Sequence, residues 1–450
     1  MNRVDFPLDK QVVVALLLIV GMYLPSSTDG EHSRFWVFTL FAILLGLVGY
    51  LGWNVGVLPK AVAGVTLPIL IVLVGCTLMA MVRGTSEFDF GMFVKFVALA
   101  VVLSLDLRRL QPGRLVYRTF VAANCVNMAL GMGVLIGSDW ATEFVTKYYW
   151  AFTPGLVASM VSLHKPVLSF GSHSVAAFFL YLFFWANWEE YKQRRSNLSL
   201  VFTFGNFALL LGLTSFTSMG LGALALIQVG YWLWGQHRRY VVIGLLGLVV
   251  PLLLLAHVVV DEAAELQEVR VFAPEVFLNS DLSGPLARYG PTGELRLAMN
   301  YVYSHPWSPI GLTVGPSAKM EDIWTPSQFF IGDSGPVEYL LRGSVPLLFL
   351  IYFGLYRFLR RNLMSRSHAW GVFFAILLFE LGFSVLSYPR IYYLLPFFVI
   401  YLNGVASRSV SRSTLGTVGA DPPHVISSIL ANPTLPGVRG GAASSFVPEV

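Results

Sequence analysis

The chain has 450 residues, 56% of them hydrophobic and 12% charged, with a formal net charge of +5. A soluble domain carries about 25% charged residues, so a water-soluble globular protein of this composition could not cover its own surface, and lipid is the solvent that resolves the excess. The small positive balance is spread along the chain with no dense Lys/Arg block interleaved with aromatics, which argues against nucleic acid as a partner.

Apolar runs of about 18 or more residues with few charges read as membrane helices. Twelve windows follow in chain order: 11–27, 35–52, 62–82, 90–106, 117–137, 171–189, 198–214, 217–234, 240–259, 336–357, 369–386 and 389–406. The first is short and the fourth carries Lys95, so counts of ten or eleven also fit. The first window has no small-residue cleavage site behind it and reads as a span, not a cleavable signal. Cys76 and Cys125 fall inside apolar runs and read as small core residues, giving neither a disulfide framework nor a metal site. The fold class is therefore all-α, a polytopic transmembrane bundle. It divides into residues 1–259 with nine spans, a loop over 260–335, three spans over 336–406, and a Ser/Gly/Pro/Ala-rich tail over 407–450 that reads as disordered.

Lys and Arg positions set the expected orientation. With both termini in the cytoplasm, nineteen Lys/Arg residues fall on that side and nine on the other, four of the nine in the long loop, where the bias counts for little. Two segments on the opposite face, from about Ser138 to Phe170 and from about Val260 to Gly335, are too long for simple connectors. The second is rich in aromatics and Pro/Gly turns, and Thr292 to Ser304 predicts a short helix stopped before Pro306. It reads as an ordered cap.

The chain lacks a Walker A loop, a dinucleotide Gly-rich turn, a His-Glu-x-x-His and a Gly-x-Ser-x-Gly, which removes the sequence support for ATP-driven work and for zinc hydrolysis. Within the spans Lys95, Arg342 and Glu380 are the main ionisable residues, fewer than ion-coupled transport usually requires. Elsewhere, ionisable residues gather at the ends away from the cytoplasm: Lys165 and His173 before the sixth span, Arg288, Arg296 and His305 in the long loop, Asp333, Glu338 and Arg342 around the entry to the tenth span, and Arg390 at the twelfth. Guanidinium groups grip phosphate oxygens, and Asp or His can take a proton from a sugar hydroxyl.

Three stretches carry a family resemblance. The first is Ser304-His305-Pro306-Trp307-Ser308-Pro309-Ile310-Gly311, followed by Asp333-Ser334-Gly335 and Arg342-Gly343. The second is Lys165-Pro166 through Gly171-Ser172-His173-Ser174, and the third is Thr214 to Leu221. In order and spacing they resemble the signature region of the O-antigen ligase and Wzy-type polysaccharide polymerase superfamily, over roughly 160–360. Asp333-Ser334 stands where ligases acting on lipid A core have His-Asn, and Lys165 stands where the family often has Arg.

The resemblance implies a bacterial inner-membrane glycosyltransferase without metal or other cofactor. Its substrate would be an oligosaccharide on an undecaprenyl diphosphate carrier in the bilayer, and a chain-length regulator is a possible partner. Asp333 or His305 would then be catalytic, and Arg288, Arg296, Arg342, Lys165 and His173 would hold the substrate and its diphosphate. A ligase, a lipid-linked oligosaccharide flippase or other transporter, and a structural scaffold are the competing classes.

Each residue also has a plainer role. Arg288 and Arg296 serve as solvated loop charges, His305 as a turn residue, Asp333 as a helix cap, and Glu338–Arg342 as an i,i+4 ion pair. His173 reads as a packed interfacial histidine, and Tyr148, Tyr149 and Trp150 as an interfacial belt.

Overall fold

The computed structural model describes residues 8–25, 42–46, 49–50, 62–83, 88–108, 110, 112–149, 158, 160–236, 301–304, 306, 308–313, 334–381 and 383–418. The described residues are helical, with no strand and a single antiparallel bridge between Phe88 and Thr313. The chain divides into two compact units, Met1–Ser407 and Arg408–Val450. Of the second, only residues up to 418 are described, and they are helical.

In the first unit α1 spans Leu8–Tyr23, and a π-helical turn at Val62–Thr66 leads into α2, Leu67–Val82. Then come α3 Phe90–Ser104, α4 Arg114–Leu135, α5 Asp139–Tyr148 and α6 His173–Arg194. α7 is Asn197–Gly212, α8 Phe216–Gln236, α9 Gly335–Asn362 and α10 Arg366–Glu380. A 3-10 turn at Val385–Ser387 precedes α11, Ile391–Val418. The ninth predicted window, 240–259, lies outside the described residues, and of the second only 42–46 and 49–50 are described, all helical.

Stretches Gly64–Val82, Arg114–Leu135 and Gly335–Asn362 are each long and apolar enough to cross a membrane. Phe90–Ser104, Asn197–Gly212 and Ile391–Ser407 are shorter apolar helices. The outward surface supports lipid as solvent. On α2, Leu67, Ile71, Val74 and Leu78 stand exposed, and on α10 Trp370, Phe374, Leu378 and Leu381 do the same. Apolar stripes of this size are not left facing water.

At the centre are two helices with no outward face. Every residue of α6 from Val175 to Glu190 is buried, and so is every residue of α11 from Ile391 to Val405. A helix that is apolar all round belongs in the interior of a bundle. The two meet through Phe183 and Phe398, ring centroids 5.2 Å apart, and Phe120 of α4 stacks on Phe183 at 5.3 Å and lies 4.1 Å from Tyr401.

Polar residues join the helices from inside. Asn124 of α4 accepts through Oδ1 from Asn187 Nδ2 of α6 at 2.8 Å and from Asn206 Nδ2 of α7 at 2.9 Å. All three are buried, and each amide also donates to the carbonyl one turn back on its own helix. In apolar surroundings such shared amides act as glue between helices.

The alternating helix directions create two distinct ends. At one, Asn362 holds Leu107 N and Leu105 O, Asn403 bonds Asn362 O and Met364 N, and Glu189 meets His368 at 3.3 Å. That end also carries Arg114, Arg118, Lys192, Arg194, Arg361 and Arg366. At the other end Arg390 caps α1, donating to Gly21 O, Met22 O and Leu24 O at 3.1, 2.6 and 2.9 Å. A buried guanidinium on the free carbonyls of a helix C-terminus satisfies them and complements the helix dipole.

Three sequence expectations are corrected. The connector after Ser138 begins with a helix, α5, because Ala141 and Val145 make one buried face while Trp140 and Phe144 point outward. Tyr149 is buried, donating from its hydroxyl to Tyr23 O at 3.2 Å beneath the Arg390 guanidinium, so it is not part of a surface belt. Cys125 is exposed on the outer side of α4, whereas Cys76 is buried as expected.

Asn124→Ala deprives two buried amides of their shared acceptor and is expected to cost about 1–2 kcal/mol, read as a lower melting temperature in detergent. Ile71→Ala on the outward face of α2 leaves that temperature nearly unchanged.

Candidate functional site

The strongest local departure from regular structure lies in α9. Its backbone leaves the helix at Gly343 (φ −149°, ψ 16°) and Ser344 (φ 55°, ψ −161°), and Pro346 opens the second half. Ser344 occupies a positive-φ region that a residue with a side chain adopts at a cost of about 1–3 kcal/mol, held only where the surroundings dictate it. The break frees carbonyls that would otherwise lack partners in lipid. Here the chain segment 308–313 supplies them: Ile310 N donates to Leu341 O and Gly311 N to Arg342 O, each at 3.0 Å.

The bonding is reciprocal. Arg342 Nη1 donates to Gly311 O at 3.0 Å, and Ser344 Oγ donates to Pro306 O at 2.9 Å. Leu312 N reaches Thr77 Oγ1 of α2 at 2.9 Å, and Asp89 N reaches Leu312 O at 2.7 Å. Gly311 has φ +60°, and a Cβ there would collide with the backbone nitrogen of Thr77, so only glycine fits this contact. Tyr301, within the helical residues 301–304, donates from its hydroxyl to Ser308 O at 3.0 Å. The motif pieces around Pro306–Gly311 and Arg342–Gly343, about thirty residues apart, thus form one bonded unit.

Charged side chains surround it. Arg342 is buried, with Nε 3.5 Å from Glu338 Oε1 and Nη2 4.0 Å from Asp89 Oδ2. Asp89 is the N-cap of α3, accepting from Met92 N at 3.0 Å through Oδ1, and its side chain is 30% exposed. Lys95, two turns into α3, lies within the fields of Glu338, Arg342 and Asp89. Lys95, Phe96, Leu99, Tyr339, Leu386 and Tyr392 come together behind it and leave no room for a water molecule. Deeper in the bundle Glu380 is fully buried, with Oε2 accepting from Tyr339 and Tyr352 hydroxyls at 2.9 and 3.3 Å and Oε1 from Leu386 N at 2.8 Å.

Of the residues singled out in the sequence, Arg342 lies at the centre of this cluster. Arg288, Arg296, His305 and Asp333 lie outside the described residues. Lys165 and His173 belong to a second locus, the loop entering α6. There Lys165 N donates to Met160 O at 3.0 Å, and His173 Nδ1 lies 3.3 Å from Met160 Sδ. Burial pushes the Lys165 ammonium below its ordinary range. The same loop holds His164 and Leu168 at positive φ, and Tyr388 Oη donates to Phe170 O at 2.8 Å.

The sequence singled out Lys95 and Glu380 only as isolated charges in apolar runs, and that isolation was the signal: intramembrane ionisable residues pair with one another and mark functional interiors. Asp89 was missed, because one Asp ahead of an apolar run reads as a helix cap, which it also is. Among the described residues no group of three or more His, Cys, Asp or Glu side chains gathers to hold a metal ion.

No protein-family model matches the chain, and no curated protein matches it at a significant level.

Gly311→Ala places a Cβ against α2 and a strained φ in the docked segment. It is expected to cost about 2 kcal/mol or more and to expose residues near 308–313 to protease, measured by melting temperature and by limited proteolysis of the purified protein.

Proposed function

We propose that the protein is a polysaccharide polymerase of the Wzy type, built as a bundle of about twelve spans in a bacterial inner membrane. It transfers a glycan from an undecaprenyl diphosphate carrier to the terminal sugar hydroxyl of a second lipid-linked repeat unit. The observation that carries this reading is the bonded unit of Pro306–Gly311 with the broken helix at Arg342–Gly343, since these are two of the stretches on which the family resemblance rests. The positive-inside rule puts the Arg-rich end in the cytoplasm and the Arg342 cluster at the outer face, where a carrier headgroup lies.

The donor is already activated by its diphosphate, so the chemistry asks for stabilisation of charge on the leaving group and an acceptor for one proton. Arg288 and Arg296 grip the diphosphate in this reading, with Lys165 and His173 as further contacts. Arg342 anchors the segment 308–313, which follows His305 in the chain. On the family resemblance alone, Asp333 or His305 is the candidate to take the proton. The loop 260–335 caps the site and keeps water from hydrolysing the donor.

A second reading, a flippase or transporter for lipid-linked oligosaccharide, draws on the buried Glu338, Arg342 and Glu380 and the half-buried Lys95 inside the helices. A ligase differs from a polymerase in its acceptor. Purified protein supplied with lipid-diphosphate-linked repeat units in vesicles separates the three: a polymerase gives a ladder of lengthening product, a ligase consumes donor only with a different acceptor, and a transporter moves donor across without changing it.

Arg296→Ala and Asp333→Ala are each expected to abolish long polymer while the protein stays in the membrane at normal level. A normal ladder from both variants removes these assignments.

A further inference from the structure

We infer that Phe88-Asp89-Phe90, with Phe93, is a saccharide subsite in which Asp89 receives the proton of the attacking sugar hydroxyl. The inference rests on the polymerase reading and assigns the proton acceptor to a residue outside the segment that carries the motifs.

Asp89 and Glu338 both face the Arg342 guanidinium, but only one can meet a substrate. Glu338 is buried, 3% exposed, and lies along Arg342 Nε. Asp89 is on the rim, its side chain 30% exposed. Its two oxygens are divided: Oδ1 holds Met92 N and caps α3, whereas Oδ2 is turned toward Arg342 Nη2 at 4.0 Å, beyond hydrogen-bond length. The backbone at Asp89 is held by the bond from Asp89 N to Leu312 O and by the pairing of Phe88 with Thr313, and the side chain by Met92 N. A carboxylate held rigidly, oriented by a guanidinium and open on one edge, is suited to accept a hydrogen bond from a neutral hydroxyl. The same carboxylate repels a diphosphate, so its ligand is the acceptor sugar and not the donor headgroup.

The flanking rings point to the same ligand class. Phe88 and Phe90 are 43% and 48% exposed. Phe88, Phe90 and Phe93 form a tilted triad with centroids 6.4, 5.9 and 5.9 Å apart. A pyranose presents C–H groups on its faces and hydroxyls at its edge. An aromatic cluster formed by the sequence neighbours of a carboxylate offers a partner for each feature.

In the step itself the acceptor hydroxyl oxygen forms a bond to the anomeric carbon of the donor. The bond between that carbon and the diphosphate oxygen breaks, its electron pair leaves with the lipid diphosphate, and the hydroxyl proton passes to Asp89 Oδ2.

Asn is as good a helix N-cap as Asp, so Asp89→Asn keeps the capping bond to Met92 N and removes the proton acceptor. The full-length protein, reconstituted with lipid-diphosphate-linked oligosaccharide extracted from the cells that carry it, is assayed for polymer formation over a range of substrate concentrations. Asp89→Asn is expected to lower kcat by about 100-fold or more with little change in KM and an unchanged melting temperature. Phe90→Ala is expected to raise KM about 3- to 10-fold with kcat nearly intact. Wild-type protein that polymerises beside an equally active Asp89→Asn overturns this inference and leaves the polymerase reading standing. Loss of activity in Asp89→Asn accompanied by a lowered melting temperature overturns it too, since the residue is then only a cap. Wild-type protein that forms no polymer overturns the polymerase reading and this inference with it.

Discussion

The arrangement around Arg342 depends on one constraint: a backbone that leaves its helix inside a membrane protein must find other partners for its polar groups. The break at Gly343–Ser344 creates that demand, and the turn in segment 308–313 meets it with the two amides of Ile310 and Gly311. Because Arg342 then returns a bond to Gly311 O, and Thr77 and Asp89 hold Leu312 from the other side, the segment is clamped among three helices. A loop residue near it inherits the precision of the bundle, which is what a site built partly on a loop requires.

The same constraint explains the inverted distribution of polarity. Ile71, Phe349 and Phe374 face outward, while Asn124, Asn206, Glu338 and Glu380 are buried. Between helices in hydrocarbon, apolar contact gives no net drive, so packing and shared hydrogen bonds hold the helices together. Near the outer end the same polar interior takes on charge. Arg342 is balanced by Glu338 and Asp89, with Lys95 beside them, so a cluster of four ionisable groups stands where helix ends and docked segment meet. Buried charges unpaired in this way would be far too costly to retain.

Much of the helical plan was legible because membrane helices announce themselves by long apolar runs. The predicted windows at 62–82 and 198–214 coincide closely with helices over Val62–Val82 and Asn197–Gly212. α5 was not legible, since ten residues with two buried positions give too short a pattern to separate from a loop. The break in α9 had visible ingredients, Gly343 and Pro346 inside an apolar window, but nothing in the sequence said that Ser344 would take the strained position. Arg342 was singled out in the sequence from its place after the motif turn, and it lies at the centre of the charged cluster. Asp89 was not, because an Asp ahead of an apolar run reads as a helix cap, and the approach of Arg342 from a distant helix is invisible in the sequence.

The burial of Val175–Glu190 in α6 and of Ile391–Val405 in α11 sets the order in which the bundle is finished. Phe183 is packed edge-on by Phe398, much later in the chain, and Arg390, at the start of the same late helix, closes the carbonyls at the end of α1, the first helix described. During synthesis the early helices must therefore wait in the bilayer with a vacant slot between them. The interior closes only when the last described helix is in place, because Phe398 belongs to it and Arg390 stands at its start.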